Sequence, residues 1–574
     1  MDRRENKQTK PGATKRTVCL SFFALLLLHC LLVSAQTSKA EKSAQPESSQ
    51  IPTFSSRSEL VLVPVIVTDH KGEAIRGLNK EAFVLRDDNA QRSVSVFEEV
   101  VASNDRAVTA KRDPSVFSND RGAASAKRLV ILAFDAINTP IDDQIVARKQ
   151  VLKFLSQGVD PDALISVVVL TPAGVKVIHD FTTDTSVLIK AVTRLRGKDG
   201  YSSQTPEATP ADDSAVQGEV AELSVLADPV SQSAIAGQKQ LAIRWTYDAL
   251  TQIAHGYESV PGRKSLIWVT AGFPFSAAAN NAQLSGIGGS GDVSDDLDSY
   301  QRMWSALTHA NVAVYPVDAR GFVNSGVLPA STGAKNSSGK MGLPNMAVAQ
   351  MSAHDASLDT FRDLAEMTGG KAFFNTNDLA KSFREASNDS ASYYLLGFYL
   401  PKDAKVGWHD LKVKVDRSGA RSRARSGYLV AKKKNTNEKK EELRNALISP
   451  LDSTGLPLEV RWKGQAPIPG AAKTKVKFDV MLSPSAITLD AEDNNHMNFV
   501  VIAVAKHPDG TVAGSAQKSF DAHVAPANAS RFAKLGMFYE GELELPPGQY
   551  MARFVVEDFV TGILGTVSAP LTVK

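Results

Sequence analysis

Six residues in the middle of the chain match the spacing of a nucleotide-binding loop. Gly286 to Gly291 (GIGGSG) follow the G-x-G-x-x-G pattern, in which glycines let the backbone approach a pyrophosphate. That chemistry requires a strand before the loop, whereas this stretch follows polar Ala- and Asn-rich residues. We therefore expect no nucleotide site. The sequence contains no His-Glu-x-x-His, Gly-x-Ser-x-Gly or Walker A motif, so we expect no enzyme.

Three other groups of charged or titratable residues have both a functional and a purely structural interpretation. They are Asp292, Asp295, Asp296 and Asp298; His354 with Asp355; and Arg417, Arg421, Arg423 and Arg425. The acidic group lacks the spacing of a calcium loop, and a solvated helix start explains it better. The histidine is expected to be exposed in a loop. The arginines form a basic hairpin tip, either a solvated turn or a contact for an anionic polysaccharide or acidic protein.

The composition indicates a multidomain globular protein. The chain has 574 residues, of which 43% are apolar and 22% are charged, with a formal net charge of +3. This length corresponds to about three or four domains. A nucleic-acid-binding protein usually has a strong basic excess, which is missing here, so we expect no nucleic-acid partner.

The N-terminus has the pattern of a cleaved signal peptide over residues 1–35. Basic residues precede an apolar run from Val18 to Val33, and Val33-Ser34-Ala35 fits signal peptidase cleavage near Ala35. An uncleaved anchor is the alternative, but the run is short for a bilayer span. Residues 1–35 carry six basic and two acidic side chains and both cysteines, so cleavage leaves a net charge of −1 and no thiol. We expect a soluble, exported protein (periplasmic, cell-surface or secreted) with no transmembrane segment after cleavage.

The central part of the chain alternates buried strands with helices. A flexible linker is expected over residues 36–58 and a small β unit over residues 59–100. From 126 to 391, continuous apolar runs predict strands buried on both faces, with helical patterns between them. These runs are Leu129–Phe134, Leu164–Leu170, Ser265–Thr270 and Val312–Val317. This alternation predicts a doubly wound α/β domain with a parallel sheet. Polar stretches at 199–236, 276–298 and 322–352 are expected to be insertions.

The remaining sequence predicts mostly β structure. A β-strand extension is expected over residues 392–431. The charge run of residues 432–442 indicates a solvated linker over residues 432–455, with an interaction patch as the alternative. Short alternating strands with turns over residues 456–574 predict a β-sandwich of immunoglobulin or fibronectin type. The predicted fold class is therefore a multidomain combination of α/β and β domains.

Four sequence stretches, in this order, resemble the VWFA-related exported proteins of acidobacteria, which contain a von Willebrand factor type A-like domain. They are Val65 to Gly72 with Gly77-Leu78 and Glu81-Ala82-Phe83; Phe134 to Thr139; Leu364 to Gly370; and Tyr393 to Phe398 with Arg425 to Tyr428. The resemblance covers about residues 59–431.

The resemblance implies a metal-ion-dependent adhesion site in degenerate form. Such a site binds Mg²⁺ or Mn²⁺ through an Asp-x-Ser-x-Ser loop, a Thr from a second loop and an Asp from a third. Asp135 and Thr139 match ligand positions and Asn138 offers an amide oxygen between them. Ile137 and Ala271 stand at ligand positions and cannot bind a cation.

The second-loop Thr of that site has no clear counterpart. Ser202 and Thr205 are arbitrary choices, because the insertion at 199–236 begins where the Thr should fall. The alternative interpretation is that Asp135 caps the next helix or accepts hydrogen bonds from loop amides, and that no metal binds. We expect no cofactor on that interpretation.

The functional prediction is an exported, non-enzymatic protein-interaction or adhesion protein with a protein or cell-envelope partner. The expected contact surface comprises the loops at Asp135–Thr139, Ala271–Phe275 and 322–352, with Phe273 and Phe275 as apolar anchors. Both Phe residues fit a core position equally well. The alternative is a metal-free structural or assembly scaffold of the cell envelope, in which the β-sandwich makes the contacts.

Overall fold

The structure is a computed structural model. It describes residues 60–101, 115–120, 128–157, 159–161, 163–195, 229–272, 293–321, 357–401, 403–430, 436–486, 488–490 and 493–574. Within these ranges, no helix combines the length and the apolar character that a bilayer span needs.

These ranges form a mixed α/β structure with several antiparallel sheets and one mixed sheet. The strands are β1 (Leu60–Thr68), β2 (Phe83–Asp87), β3 (Ala90–Arg92), β4 (Val96–Val101), β5 (Val116–Ser118), β6 (Leu129–Asp135), β7 (Leu164–Thr171), β8 (Gly174–Thr182), β9 (Lys264–Thr270), β10 (Val312–Asp318), β11 (Ser392–Tyr399), β12 (Gly407–Val415), β13 (Arg421–Arg423), β14 (Gly427–Val430), β15 (Leu458–Pro467), β16 (Thr474–Leu482), β17 (His496–Lys506), β18 (Val512–His523), β19 (Met537–Leu545), β20 (Gly548–Asp558) and β21 (Ile563–Val573). The helices are α1 (Ile141–Ser156), α2 (Thr185–Arg194), α3 (Pro229–Gly256), α4 (Val293–His309), α5 (357–368), α6 (Leu379–Asn388), α7 (Thr436–Ile448) and α8 (Pro526–Leu535).

The mixed sheet lies at the centre of the α/β part and has the order β10-β9-β6-β7-β8. Strands β10, β9, β6 and β7 run parallel, and β8 runs antiparallel to β7. All residues of β6, β9 and β10 are buried. The continuous apolar runs of these strands have the composition expected of strands covered on both faces.

Each face of this sheet is covered by helices. Alternate residues of β6 point to opposite faces: Ile131 belongs to an apolar cluster with α3, α4 and α5, and Leu132 to one with α1, α2 and α6. Burial of each such aliphatic side chain stabilises the fold by about 1.5–3 kcal/mol. The sheet is therefore a rigid platform whose strand ends carry the loops.

The predicted parallel sheet is confirmed for four strands, but its fifth strand, at the edge, is antiparallel. Strand β8 returns from β7 through a tight turn in which Gly174 has a φ of +109°, and the Thr171 hydroxyl donates to the Gly174 carbonyl over 2.8 Å. Its sequence, GVKVIHDFT, is half polar because an edge strand is partly exposed. It therefore lacks the continuous apolar run that identified its neighbours.

Two distant stretches of chain, 60–101 and 392–430, build one β unit. Its sheets have the orders β13-β1-β11-β4 and β14-β12-β2-β3 and enclose a common apolar cluster. β1 pairs with β11 from Leu60↔Tyr399 to Val65↔Tyr394, and β2 pairs with β12 from Leu411↔Asp87 to Val415↔Phe83. Neither stretch has a complete sheet without the other.

Two four-stranded antiparallel sheets in the C-terminal part also share one apolar cluster. Their orders are β19-β16-β15-β5 and β18-β17-β20-β21. Strand β5 comes from the polar stretch that precedes the α/β part, and it pairs with β15. The next residue, Asn119, is buried; its amide donates to the carbonyls of Ser453 and Leu456, each at 2.8 Å, and its oxygen accepts from the Leu458 amide at 2.9 Å.

The charged linker predicted over residues 432–455 contains a helix instead. Helix α7 packs Leu443, Ala446 and Leu447 on the outer face of the sheet that contains β17 and β20. These apolar residues recur at helical spacing, while Lys440, Glu441 and Arg444 are exposed. The Arg553 guanidinium also donates to the Ala446 carbonyl at 3.1 Å and fixes the end of the helix.

Helices α3 and α4 begin inside two of the expected insertions, at Pro229 and Val293. The signal peptide, Phe273, Phe275, the G-x-G-x-x-G stretch and the 322–352 insertion lie outside the described residues.

Candidate functional site

The carboxyl ends of three neighbouring parallel strands each carry a buried polar residue. Asp135 ends β6, Thr270 ends β9 and Asp318 ends β10. Such strand ends form the edge at which open α/β sheets bind ligands. The candidate site is therefore built from the loops that leave these residues.

Asp135 is bound by the loop that follows it. Its Oδ1 accepts the backbone amides of Ile137 at 2.8 Å and Asn138 at 2.9 Å, and its Oδ2 accepts the Asn138 side-chain amide at 2.8 Å. Burial raises the pKa of the Asp135 carboxyl, while hydrogen bonds from the side chain and the backbone of Asn138 act against that rise. Helix α1 begins after Pro140, without a side-chain cap, so Asp135 organises the loop and does not cap the helix.

Asn138 links this loop to helix α3. Its Nδ2 donates both to Asp135 Oδ2 and, at 2.9 Å, to Thr246 Oγ1, and Thr246 in turn donates to the Ala242 carbonyl at 2.8 Å. Sequence reasoning did not find Thr246, because a single Thr within a mostly apolar helical pattern gives no signal.

Thr139 connects the first loop to the third. Its Oγ1 accepts the Ala271 backbone amide at 3.1 Å, and the Thr270 hydroxyl donates to the Gly272 carbonyl at 2.9 Å. Thr139 and Ala271 are both buried. The structure therefore brings Asp135, Asn138 and Thr139 together, while Ser202 and Thr205 lie outside the described residues.

This arrangement does not fit an Mg²⁺ ion. The NH₂ group of Asn138 lies between the Asp135 carboxylate and the Thr246 hydroxyl, 2.8 Å from Asp135 Oδ2 and 2.9 Å from Thr246 Oγ1. A cation needs oxygen donors at that place. Two positions that carry ligands in the family's site have other residues here. Ile137 packs against the apolar core, and Ala271 has no oxygen in its side chain. The Asn138 amide instead connects the Asp135 carboxylate to the Thr246 hydroxyl by hydrogen bonds.

A cationic side chain of the protein lies at the neighbouring strand end. Arg320 forms a two-pronged ion pair with Asp318, with Nε 2.9 Å from Oδ1 and Nη2 2.9 Å from Oδ2. Burial raises the pKa of Asp143 on α1, and the charge of Arg320 acts against that rise. A guanidinium thus already balances the carboxylates on this side of the site.

Helix α1, which starts beside the Asp135 loop, exposes apolar side chains. Ile141, Ile145 and Val146 are 46%, 50% and 48% exposed. The first two are one turn apart on the same helix face. The Gln144 side chain donates to the Thr139 carbonyl at 2.7 Å, and this hydrogen bond connects the Asp135–Thr139 loop to the first turn of α1.

Two of the sequence stretches that carried the family resemblance form a joint between the α/β part and the β unit. The Gly369 carbonyl, at the end of α5, accepts hydrogen bonds from Arg263 at 2.6 Å and Arg423 at 3.1 Å. The Ser426 amide donates to the Glu366 carbonyl at 3.1 Å. Positive charge at a helix C-terminus is favourable, so these residues have a structural role.

Comparisons with known proteins give little further information. No family model matches the chain, and no curated protein matches it. The crystal structure of a conserved hypothetical protein, BatB from Bacteroides thetaiotaomicron, is similar to 46% of this chain and 98% of its own length, with 13% sequence identity and a TM-score of 0.19. A TM-score this low carries no argument about fold or function.

Proposed function

We propose that this chain is an exported, non-enzymatic protein-interaction protein. In this proposal it has a von Willebrand A-like domain, and that domain contacts a protein partner through the loop face around Asp135 without a bound metal. The C-terminal sheets are proposed to be a β-sandwich of immunoglobulin or fibronectin type. The proposal of export depends on the predicted signal peptide, and the proposal of a non-enzymatic role depends on the missing sequence motifs.

The strand order of the mixed sheet supports the domain proposal. β6, the first strand of that sheet along the chain, lies in the middle, and the chain then proceeds outward on one side before crossing to the other. Asp135 follows that middle strand, at the point where the two directions of winding separate. This is the position that the resemblance assigns to the adhesion site.

The exposed apolar residues of α1 carry the contact proposal. Ile141, Ile145 and Val146 lie directly after the Asp135–Thr139 loop, which is itself held by hydrogen bonds. Exposed apolar side chains that share one face of a helix, as Ile141 and Ile145 do, are typical of protein contact sites. Because the loop is already ordered, binding a partner there costs little conformational entropy. The partner we propose is a protein segment with apolar side chains.

Site-specific photocrosslinking in the producing cells tests this proposal. A photoreactive phenylalanine analogue replaces Ile145 in one variant and Leu535, an equally apolar exposed residue on α8, in a control variant. We expect one dominant adduct of defined mass from position 145 and none from position 535. Equal labelling at both positions, or no adduct at 145, would contradict the proposal.

A pair of exposed residues in the C-terminal part favours the alternative, an envelope scaffold. Met481 on β16 and Phe538 on β19 lie directly opposite each other, and both side chains are exposed. Cross-strand apolar pairs of this kind can bind another surface. The photoreactive analogue at position 538 separates the two functions, since the scaffold requires adducts there and none at position 145.

A further inference from the structure

Three ligand-type side chains meet in the β unit, in a different sheet from the loop face. Asp87 ends β2, Asp88 forms the following turn, and His409 lies on β12. One potential ligand atom from each lies within 4.8 Å of the other two.

The backbone holds the two aspartates in place. Asp88 and Asn89 both have positive φ, +47° and +69°, as a type I′ hairpin between β2 and β3 requires. The Asp88 amide donates to the Asp410 carbonyl at 2.9 Å, and Asp88 Oδ1 accepts the Asp410 amide at 2.9 Å. Asp88 Oδ2 is left facing His409.

His409 is buried and its ring orientation is fixed. Its ring stacks on that of Tyr428, with centroids 5.0 Å apart and an interplanar angle of 12°. Nε2 lies 2.7 Å from the Lys405 carbonyl oxygen, which only accepts, so Nε2 carries the proton. In the neutral ring, Nδ1 then presents a lone pair.

That lone pair points into the carboxylates. Nδ1 lies 2.8 Å from Asp88 Oδ2 and 3.6 Å from Asp87 Oδ1, yet it makes no hydrogen bond of acceptable geometry. A lone pair and two carboxylate oxygens repel one another unless a metal cation lies between them or a proton is bound to Nδ1. Ligand atoms about 2.1 Å from one ion lie roughly 3.0–3.5 Å apart, and the two distances from Nδ1, 2.8 and 3.6 Å, lie on either side of that range.

We propose that Asp87, Asp88 and His409 bind a divalent transition-metal ion of the zinc class. An imidazole nitrogen with two carboxylate oxygens suits Zn²⁺ better than Mg²⁺ or Ca²⁺, which prefer oxygen ligands alone. The contact of Nε2 with the Lys405 carbonyl is the second-shell hydrogen bond that metal-binding histidines usually make.

The surroundings of the cluster fix Asp87 and leave Asp88 open to solvent. Arg92 pairs with Asp87 Oδ2 through Nη2 at 2.8 Å and Nε at 2.9 Å, and the Tyr428 hydroxyl donates to Asp87 Oδ1 at 3.0 Å, so an ion would share this carboxylate with both partners. The Asp88 side chain is 54% exposed, which gives an ion a path from solvent and gives water access to its remaining positions. The ion would join the β2–β3 turn to β12, which belongs to the other stretch of chain in this unit.

Zinc content and thermal stability of the full chain test this site. The chain is purified without a polyhistidine tag, stripped with a chelator, incubated with Zn²⁺ and desalted. In Asp88→Asn the amide oxygen still accepts from the Asp410 amide and the turn still tolerates positive φ, so this variant is expected to fold. Asp416→Asn removes an exposed carboxylate elsewhere in the same unit and is the matched control.

We expect the wild type and Asp416→Asn to retain one more equivalent of zinc than Asp88→Asn. Zn²⁺ should also raise their melting temperature by roughly 3 °C or more, but not that of Asp88→Asn. His409→Gln should lose the same equivalent. If Asp88→Asn bound as much zinc as the wild type with the same thermal shift, the site would be excluded, and His409 would be an imidazolium paired with Asp88.

Discussion

The orientation of the Asn138 side chain determines whether the Asp135 loop offers ligands to a cation. Its amide group donates to both Asp135 and Thr246, so the loop is closed by hydrogen bonds within the protein. The sequence suggested Asn138 as an oxygen ligand, and the structure shows its nitrogen turned toward the carboxylate. The orientation of an amide depends on its neighbours, here the acceptor oxygens of Asp135 and Thr246, and Thr246 is more than a hundred residues away along the chain.

Lys264, at the start of β9, gives a pH dependence of stability. It is buried, its ammonium group donates to the Val260 carbonyl, and burial lowers its pKa to about 7, although Glu258 acts in the opposite direction. Between pH 7 and the ordinary lysine pKa of 10.5, the unfolded chain binds a proton that the folded chain does not. The contribution of Lys264 to stability therefore increases as the pH rises through this window.

Replacing Lys264 with methionine should remove this dependence. We expect Lys264→Met to be more stable than the wild type by roughly 3 kcal/mol at pH 6, with the difference shrinking toward pH 10. Urea unfolding of both proteins at pH 6, 8 and 10 measures it. A difference that stays constant with pH would show that Lys264 is not buried in the way described.

The packing of α5 against β10 depends on Gly370. A Cβ atom at this position would lie 1.9 Å from the Val314 carbonyl oxygen on β10. Gly370→Ala should therefore lower the free energy of unfolding by about 2–3 kcal/mol. The control is Gly237→Ala on α3, where a Cβ meets nothing within 4 Å and alanine should stabilise the helix by about 0.5–1 kcal/mol. Thermal unfolding should shift in opposite directions, and an equal loss in both variants would contradict the packing described.

Sequence reasoning succeeded for elements with a strong local pattern. The buried strands β6, β7, β9 and β10 were predicted within one or two residues of their bounds, because their continuous apolar runs are unambiguous. The half-polar β8 and helix α6 were missed, as were β18 and α8. Helix α7 was not predicted because most of its residues are charged or polar. Its few apolar residues indicate a helix only once the sheet that they cover is known.

The path of the whole chain could not be read from the sequence. The chain starts the β unit with β1–β4, contributes β5 to the C-terminal sheets, builds the α/β part, and returns to complete the β unit with β11–β14. These pairings join segments about three hundred residues apart, such as Val65 with Tyr394. A local sequence pattern cannot identify a strand that pairs from so far along the chain. The same long-range pairing, of β2 with β12, brings Asp87 and Asp88 to His409. No sequence motif therefore indicated this cluster.

The most direct measurement of the central claim, a metal-free loop face, is calorimetric titration of Mg²⁺ into the full chain, with Asp135→Asn as control. Because the Asn138 NH₂ group lies between Asp135 and Thr246, where a cation would need oxygen ligands, we predict no heat of binding and no change in melting temperature for either protein. Saturable heat in the wild type that is lost in Asp135→Asn would contradict this account and would show that the loop rearranges to bind an ion.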